Sequence, residues 1–107
     1  MAKKKGQCYL GAVGTCWVQI LTPTNPPNPV HVPPTFPAYG RAGPDVTSVG
    51  GVCLNNQGIP FAGRVVISPP NWEIMFYNLP PGDYRLYVNG SGPNCNCGDG
   101  PKILQIP

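Results

Sequence analysis

Proline placement restricts the fold of this chain more than any other sequence feature. Sixteen prolines and fourteen glycines make up more than a quarter of the 107 residues. No window of twelve residues keeps a helical apolar period without a proline or a glycine cluster interrupting it. An interior proline removes a helical hydrogen bond and clashes with the preceding turn. The hydrophobic content of 41% still allows one core. We therefore expect one all-β domain with almost no helix.

Strand patterns are densest in the second half of the chain. Strands are predicted at 49–54, 63–68, 72–77, 83–89 and 102–106. In the fourth of these, Tyr84, Leu86 and Val88 recur at every second position, which is the period of a strand that buries one face. Several short strands separated by turns are typical of a sandwich. We expect a small antiparallel β-sandwich with its core and a cysteine-containing C-terminal tail in residues 46–107.

The N-terminal part divides into two short segments. Residues 1–6 form a basic arm that includes the three-lysine run. Residues 7–21 read as a hairpin whose two strands are joined by a glycine-containing connection. In its second strand Val18 and Ile20 share one face, and Trp17 lies on the other. An apolar residue on both faces predicts either full burial or a partner surface.

Residues 22–45 contain eight prolines, and such a stretch is not expected to pair as a central strand. We expect it to be extended, largely in polyproline II. A surface loop or linker is one interpretation. The segment also holds Val30, Val32, Phe36 and Tyr39, which linkers usually lack. We therefore favour an extended arm that lies on a neighbouring subunit.

Several short motifs occur in a recognisable order between positions 49 and 90. They are Val49-Gly50-Gly51-Val52, Gly58-Ile59-Pro60-Phe61-Ala62-Gly63, Val65-Val66, Phe76 and Leu79-Pro80-Pro81-Gly82-Asp83-Tyr84. Together they resemble the carboxypeptidase regulatory-like domain family, the transthyretin-like (prealbumin-like) β-sandwiches. The turn before the aromatic strand, Ser68-Pro69-Pro70-Asn71, is shorter than in that family. The resemblance implies a non-catalytic module for contact or spacing.

The motif residues have readable physical roles. Gly58 and Gly82 would allow turns that need a positive φ, and Pro60 would stiffen the approach to the second strand. Tyr84 would bury its ring while its hydroxyl reaches the backbone. This role is similar to that of the tyrosine corner in immunoglobulin-like sandwiches. The full set of structural motif residues is Gly58, Pro60, Gly63, Pro81, Gly82 and Tyr84.

Five cysteines are many for a reduced cytosolic protein of this length. They are Cys8, Cys16, Cys53, Cys95 and Cys97, and this odd number allows at most two intramolecular disulfides. A disulfide between an N-terminal and a C-terminal cysteine is predicted, because closing a long loop restricts the unfolded chain most. Cys53 either faces outward or is a buried inert thiol. Cys8, Cys16, Cys95 and Cys97 could in principle supply four zinc thiolates, but their spacing fits zinc sites poorly, so no metal or cofactor is expected.

Charge and catalytic residues argue against several function classes. The only histidine, His31, lies among prolines, and its nearest carboxylate in sequence is Asp45, so an enzyme is not expected. Residues 3–5 supply the whole net charge of +3, without the aromatic interleaving that nucleic-acid binding needs. The first twenty residues lack an uninterrupted apolar run, and no transmembrane length follows. We expect synthesis in the cytoplasm without a secretory signal, and no membrane partner.

These observations predict a structural or interaction protein with a protein partner. We expect a bacteriophage minor capsid, cement or decoration protein that binds a repeating protein surface and is located in the virion. The candidate interaction residues are Trp17, Val30, Val32, Phe36, Tyr39, Trp72, Tyr77 and Tyr87.

Two alternatives remain open from the sequence. One is a carbohydrate-binding or peptide-binding module with an aromatic platform of Trp17, Trp72, Tyr77 and Tyr87. The other is a self-assembling surface filament, a homo-oligomer in which the proline-rich arm completes the sheet of the next subunit by strand addition.

Overall fold

The structure is a computed structural model that describes residues 14–107. Within these residues it contains nine strands and no helix. The strands are β1 (Val18–Thr22), β2 (Val30–His31), β3 (Phe36–Ala42), β4 (Ser48–Leu54), β5 (Pro60–Ala62), β6 (Arg64–Ile67), β7 (Asn71–Phe76), β8 (Gly82–Gly92) and β9 (Cys95–Ile106). The all-β class predicted from the prolines is confirmed.

The strands form two sheets that pack against each other as a small sandwich. The four-stranded sheet has the order β1-β3-β7-β6, and the five-stranded sheet has the order β2-β9-β8-β4-β5. Every strand pair is antiparallel except β2 with β9, which is parallel. Antiparallel neighbours can be joined by short turns, which suits a chain with this many prolines and glycines.

Alternating side chains of both sheets face inward and form one core. In β3 every second residue from Phe36 to Ala42 is buried, and β7 and β8 have the same period. Phe36 and Phe76 are direct cross-strand partners, and their rings stack with centroids 5.2 Å apart. Such pairs contribute about 0.5–1.5 kcal/mol beyond the area that they bury. The predicted sandwich is thus confirmed, with its largest side chains in the centre.

The proline-rich segment is the main correction to the sequence analysis. Residues 36–42 form β3, which lies between β1 and β7 in the middle of its sheet, so the prediction that this stretch could not pair as a central strand is wrong. Pro37 is tolerated because β1 pairs with β3 only from Tyr39 onward, which leaves Pro37 with a single neighbouring strand. An exposed edge position is where a strand accepts proline.

The remaining part of this segment lies on the chain's own five-stranded sheet. Val30 and His31 pair with the edge of β9, and the amide of Val32 donates to the carbonyl of Gln105 at 3.1 Å. Asn25 binds both backbone groups of Ile103: its Oδ1 accepts from the amide at 2.7 Å, and its Nδ2 donates to the carbonyl at 3.2 Å. These contacts hold residues 25 and 30–32 against the chain's own β9, and the predicted contact with a neighbouring subunit stays a prediction.

The sandwich also begins earlier than the predicted boundary at residue 46. Val18, Ile20, Phe36 and Ala38 are all buried in the core. The first strand of the predicted hairpin and the basic arm lie outside the described residues, whereas the second strand is β1 and pairs with β3. The inward face of β1 was therefore interpreted correctly, with Val18 and Ile20 buried, and its predicted pairing within the hairpin stays a prediction.

The motifs of residues 58–84 behave as predicted. Gly58 and Gly82 have φ values of 77° and 147°. Tyr84 is 3% exposed, and its hydroxyl donates to the carbonyl of Pro80 at 2.6 Å. Gly63 is needed for close packing, because an added Cβ there would lie 2.8 Å from Cζ of Phe76. Gly63 therefore lies at the connection from β5 to β6, which joins the two sheets, and Gly82 and Tyr84 lie at the start of β8.

Candidate interaction surface

The outer face of the four-stranded sheet carries a cluster of exposed apolar side chains. Cross-strand register places Pro37 beside Met75, Tyr39 beside Glu73, and Ile67 of the next strand beside Glu73 again. Leu21 lies in the β1 bulge opposite Tyr39. We call the set of Leu21, Pro37, Tyr39, Ile67 and Met75 the apolar sheet face.

A shallow groove crosses this face. Leu21, Tyr39 and Ile67 line it and are 39%, 44% and 50% exposed. Arg41 and Glu73 line the same groove and add one charge of each sign. Small soluble domains rarely leave contiguous apolar side chains in water unless the patch is used for contact. The groove is thus suited to a partner that brings apolar groups and a few polar ones.

Strand β6 forms an open edge beside the apolar sheet face. Its four residues are all exposed, with Val65, Val66 and Ile67 at 38%, 44% and 50%. Apart from its ladder with β7, β6 makes no hydrogen bond within residues 14–107. Open edges are usually protected by charges, prolines or a covering segment, and β6 has only Arg64. We call β6 the open edge.

The long edges elsewhere in the described part of the chain are partly covered. At β1, the amide of Ile20 donates to Oδ2 of Asp99 at 2.8 Å. At β9, β2 pairs with Leu104 and Gln105, and the side chain of Asn25 binds the amide and the carbonyl of Ile103. The outer strand β5 has three residues and begins with Pro60. These edges therefore differ from β6, which makes no hydrogen bond on its outer side within residues 14–107.

Two of the candidate interaction residues are core residues instead. Phe36 and Trp72 are 2% and 1% exposed, and the indole N–H of Trp72 donates to the carbonyl of Arg41 at 3.0 Å. Their prediction as surface residues is wrong, because β3 and β7 are the two central strands of their sheet and turn these side chains inward.

The other candidates are scattered. Trp17 is half-buried, and its indole N–H donates to the carbonyl of Gly14 at 3.0 Å. Val30 and Val32 are partly buried against the core. The exposed tyrosines lie apart: Tyr39 on the apolar sheet face, Tyr77 just after β7, and Tyr87 on the outer face of the five-stranded sheet. The residues proposed for an aromatic platform do not share one surface.

Sequence reasoning missed the residues of the open edge. Val65, Val66 and Ile67 are consecutive β-branched residues, so a strand there has apolar side chains on both faces. Such a run was assigned to a strand but not to a surface. The signal in the sequence was that apolar and polar side chains do not alternate in this run. Such a pattern is consistent either with a strand buried on both sides or with a strand that a partner covers.

The cysteines match their predictions where the structure describes them. Cys16 and Cys95 form a disulfide that spans 79 positions of sequence, as expected for an N-terminal to C-terminal bridge. Cys53 is fully buried, and this burial raises the pKa of its thiol to about 12, so it is the inert alternative. Cys97 is buried, and its Sγ lies within 4.8 Å of the other two sulfurs in the cluster with Cys16 and Cys95. Cys8 lies outside the described residues.

Two of the acidic side chains have structural partners. The carboxylate of Asp45 accepts from the hydroxyl of Thr15 at 2.8 Å, and Asp99 accepts from the amides of Ile20 and Gly100. His31 is exposed on β2, which belongs to the five-stranded sheet, whereas the open edge belongs to the four-stranded sheet. Residues 14–107 include no helix that could cross a membrane.

Comparison with known proteins does not assign the chain to a family. No family model matches it, and no curated protein is significantly similar to it. The sandwich therefore rests on the strands and registers described above. The resemblance to transthyretin-like domains stays a prediction.

Proposed function

We propose that this protein is a non-catalytic structural protein that binds a repeating protein surface through its open edge and apolar sheet face. The proposed setting is a bacteriophage particle, on which the protein acts as a minor capsid, cement or decoration protein. The transthyretin-like resemblance is consistent with a contact module, although fold analogy alone names no partner. The observation that carries the proposal is the exposure of Val65, Val66 and Ile67 on a strand with one unpaired edge.

Strand addition explains how such an edge would bind. A partner strand placed beside β6 would satisfy its outward backbone groups, and this supplies affinity that is largely independent of sequence. The apolar sheet face would then bury Ile67 and Tyr39 under the same partner, which adds specificity. Burial of apolar area contributes about 25 cal/mol per Å² before the costs of association.

Decoration of a larger surface is favoured over a self-assembling filament. A filament built by strand addition needs both an acceptor edge and a donor strand on every copy. In residues 14–107 the predicted donor, the proline-rich segment, already pairs within the chain, through β2 with β9 and through β3 with β1 and β7. A protein with one accepting edge in residues 14–107 can bind at each repeat of a partner surface without polymerising itself.

The experiment compares two charged variants in particle binding. Val66→Lys combined with Ile67→Lys places two charges on the open edge, whereas Tyr87→Lys places one on the outer face of the other sheet. Particles from the native source are stripped of the protein and incubated with each purified variant, and bound copies are counted by sedimentation and electron microscopy. We expect the double variant to bind at least tenfold more weakly and Tyr87→Lys to bind as wild type.

Two results would contradict the proposal. One is a wild-type protein that is absent from particles of its native source and does not sediment with them. The other is full binding by the double variant with its fold intact, as judged by circular dichroism.

A further inference from the structure

The open edge has an outward side chain at each of its two ends. Arg64 is the cross-strand partner of Met75, and Ile67 is the partner of Glu73. Alternate residues of β7 are buried, so Glu73 and Met75 face outward. Cross-strand partners point to the same face of a sheet. Arg64 at the start of β6 and Ile67 at its end therefore both lie on the outer face.

A bulge in β6 produces this arrangement. In a regular strand, residues three positions apart point to opposite faces. The register of β6 shifts between Val65 and Ile67, which leaves Val66 without a partner on β7 and returns Ile67 to the outer face. The order along β6 is thus an outward residue, two valines and an outward residue. Two copies of such a strand can pair antiparallel about a two-fold axis, with valine opposite valine at the centre and Arg64 of one copy opposite Ile67 of the other.

The charges beside the open edge are complementary across the same two-fold axis. Ile67 lies between Glu73 of its own sheet and the position that Arg64 of a second copy would take. Neighbouring strands are about 4.8 Å apart, so the two charged residues would be about 10 Å apart at the backbone, which their extended side chains together can span. The two-fold axis repeats this pair. Neither Arg64 nor Glu73 has an ion pair within residues 14–107.

We propose that the free protein forms a two-fold dimer in which the open edges of two copies pair antiparallel. The pairing joins the two four-stranded sheets into one continuous sheet and gives the outward backbone groups of each β6 a partner. Val66 and Ile67, which are exposed in a single copy, become covered. The interface is isologous, so each open edge occupies the other and assembly stops at two copies.

The small size of the paired segment makes this dimer weak and reversible. Each β6 has four residues, whereas stable interfaces use about 20–30 residues from each side. A weak dimer covers the open edge in free protein and still releases it to a partner that binds more strongly. That a particle surface displaces the second copy rests on the proposed function, whereas dimerisation itself does not.

The test is the mass of the full chain in solution as a function of its concentration. Sedimentation equilibrium should show a reversible mixture of monomer and dimer, with no larger species, between about 1 μM and 1 mM protein. Raising the salt concentration should weaken the dimer. Arg64→Glu and Glu73→Arg each place like charges on the two sides of Ile67 and should weaken dimerisation at least tenfold. Tyr87→Lys, on the outer face of the other sheet, is the control and should dimerise as wild type.

A mixture of the two charge-reversed variants distinguishes contact between copies from contact within one copy. In a mixed pair, each reversed charge meets an opposite charge on the other copy. The mixture of Arg64→Glu with Glu73→Arg should therefore regain the affinity that each variant alone has lost. An ion pair formed within a single chain would not be restored by mixing.

Hydrogen exchange of the wild type supplies an independent measurement. The outward amides of residues 64–67 should exchange more slowly as the protein concentration rises, whereas Phe61 and Ala62 on the outer strand β5 should not change. The proposal is overturned if the wild type stays monomeric throughout this range, if the mixed variants remain monomeric although circular dichroism shows both to be folded, or if exchange of residues 64–67 is independent of concentration. No particle enters these measurements, so their failure is distinct from a failure of the proposed function.

Discussion

The carboxylate of Asp99 accepts a hydrogen bond from the backbone amide of Ile20, 79 residues earlier in the chain, at 2.8 Å. Asp99 lies on β9 and Ile20 on β1, so the bond joins the two sheets and occupies one outward amide of β1. Its second oxygen accepts from the amide of Gly100 at 2.9 Å. This contact distinguishes the β1 edge from β6, whose outer side makes no hydrogen bond within residues 14–107.

Removal of this carboxylate should destabilise the fold. Asp99→Ala leaves the Ile20 amide without its partner, and a lost hydrogen bond to a charged group costs about 1.5–3 kcal/mol. Asp99→Asn keeps one acceptor oxygen and should lose less. Urea unfolding measures both, and exchange of the Ile20 amide should become faster. Asp83→Ala is the control, because Asp83 is exposed and no hydrogen bond of its side chain occurs within residues 14–107. Equal losses for the two alanine variants would contradict the role given to Asp99.

Loss of the Tyr84 hydroxyl should have a smaller effect. Tyr84→Phe keeps the buried ring and its edge-to-face contact with Phe61 but removes the bond to the Pro80 carbonyl. We expect the free energy of unfolding to fall by about 1 kcal/mol. Tyr87→Phe is a matched control on the same strand, since Tyr87 faces outward and is 37% exposed. If Tyr84→Phe has the same urea midpoint as the wild type, the hydroxyl does not contribute to the free energy of unfolding.

The strands of the second half could be predicted from sequence because their alternation and turn residues agree. Tyr84, Leu86 and Val88 are all buried, and the turn glycine Gly82 has the positive φ that its position requires. Local patterns of this kind need no knowledge of distant contacts. Cys53 is also buried, which is one of the two alternatives that its position next to apolar residues left open.

Other features could not be predicted because the contacts that determine them are long-range. Pro37 argues against a central strand locally, and the structure accepts it only because β1 ends before reaching it. Trp72 looked like a surface aromatic, but its burial depends on β3 lying beside β7. The open edge likewise depends on sheet order, since the same three β-branched residues would be buried in a central strand.

Reduction of the Cys16–Cys95 disulfide should lower the free energy of unfolding. The bridge closes a loop of 79 sequence positions, and chain-entropy arguments assign about 4 kcal/mol to a loop of that length. We expect a phosphine reductant to lower the free energy of unfolding by roughly this amount. Cys53→Ala should show the same sensitivity to reductant, because Cys53 takes no part in the bridge. An unchanged urea midpoint on complete reduction would contradict the prediction.

Alanine at Gly63 should be poorly tolerated. The new Cβ would overlap the side chain of Ile74 and lie 2.8 Å from Cζ of Phe76, both of which are fully buried. Overpacking of this kind typically costs about 1–3 kcal/mol. Gly98→Ala is the control, since its Cβ would meet only the Val88 carbonyl at 3.4 Å. Thermal unfolding of both variants checks the prediction, and a Gly63→Ala variant as stable as Gly98→Ala would contradict it.

Stability should decline in alkali because a buried thiol must ionise. Burial raises the pKa of Cys53 from 9.0 to about 12, and it also raises the pKa of the neighbouring Tyr84, where the charge of Cys53 adds a smaller effect. A thiol is neutral when protonated, so the native state holds its proton at pH values where the unfolded chain has lost it. The contribution is therefore fully present below pH 9 and is lost as the pH rises towards 12.

Urea unfolding at several pH values tests this directly. Between pH 9 and 12 ionisation of Cys53 in the unfolded chain lowers the free energy of unfolding by up to about 1.4 kcal/mol per pH unit. Cys53→Ala should flatten the slope while leaving the part that Tyr84 contributes. The measurement is best made within minutes of the pH jump, so that thiolate attack on the disulfide does not intervene. A slope in Cys53→Ala equal to that of the wild type would show that the buried thiol does not control alkaline stability.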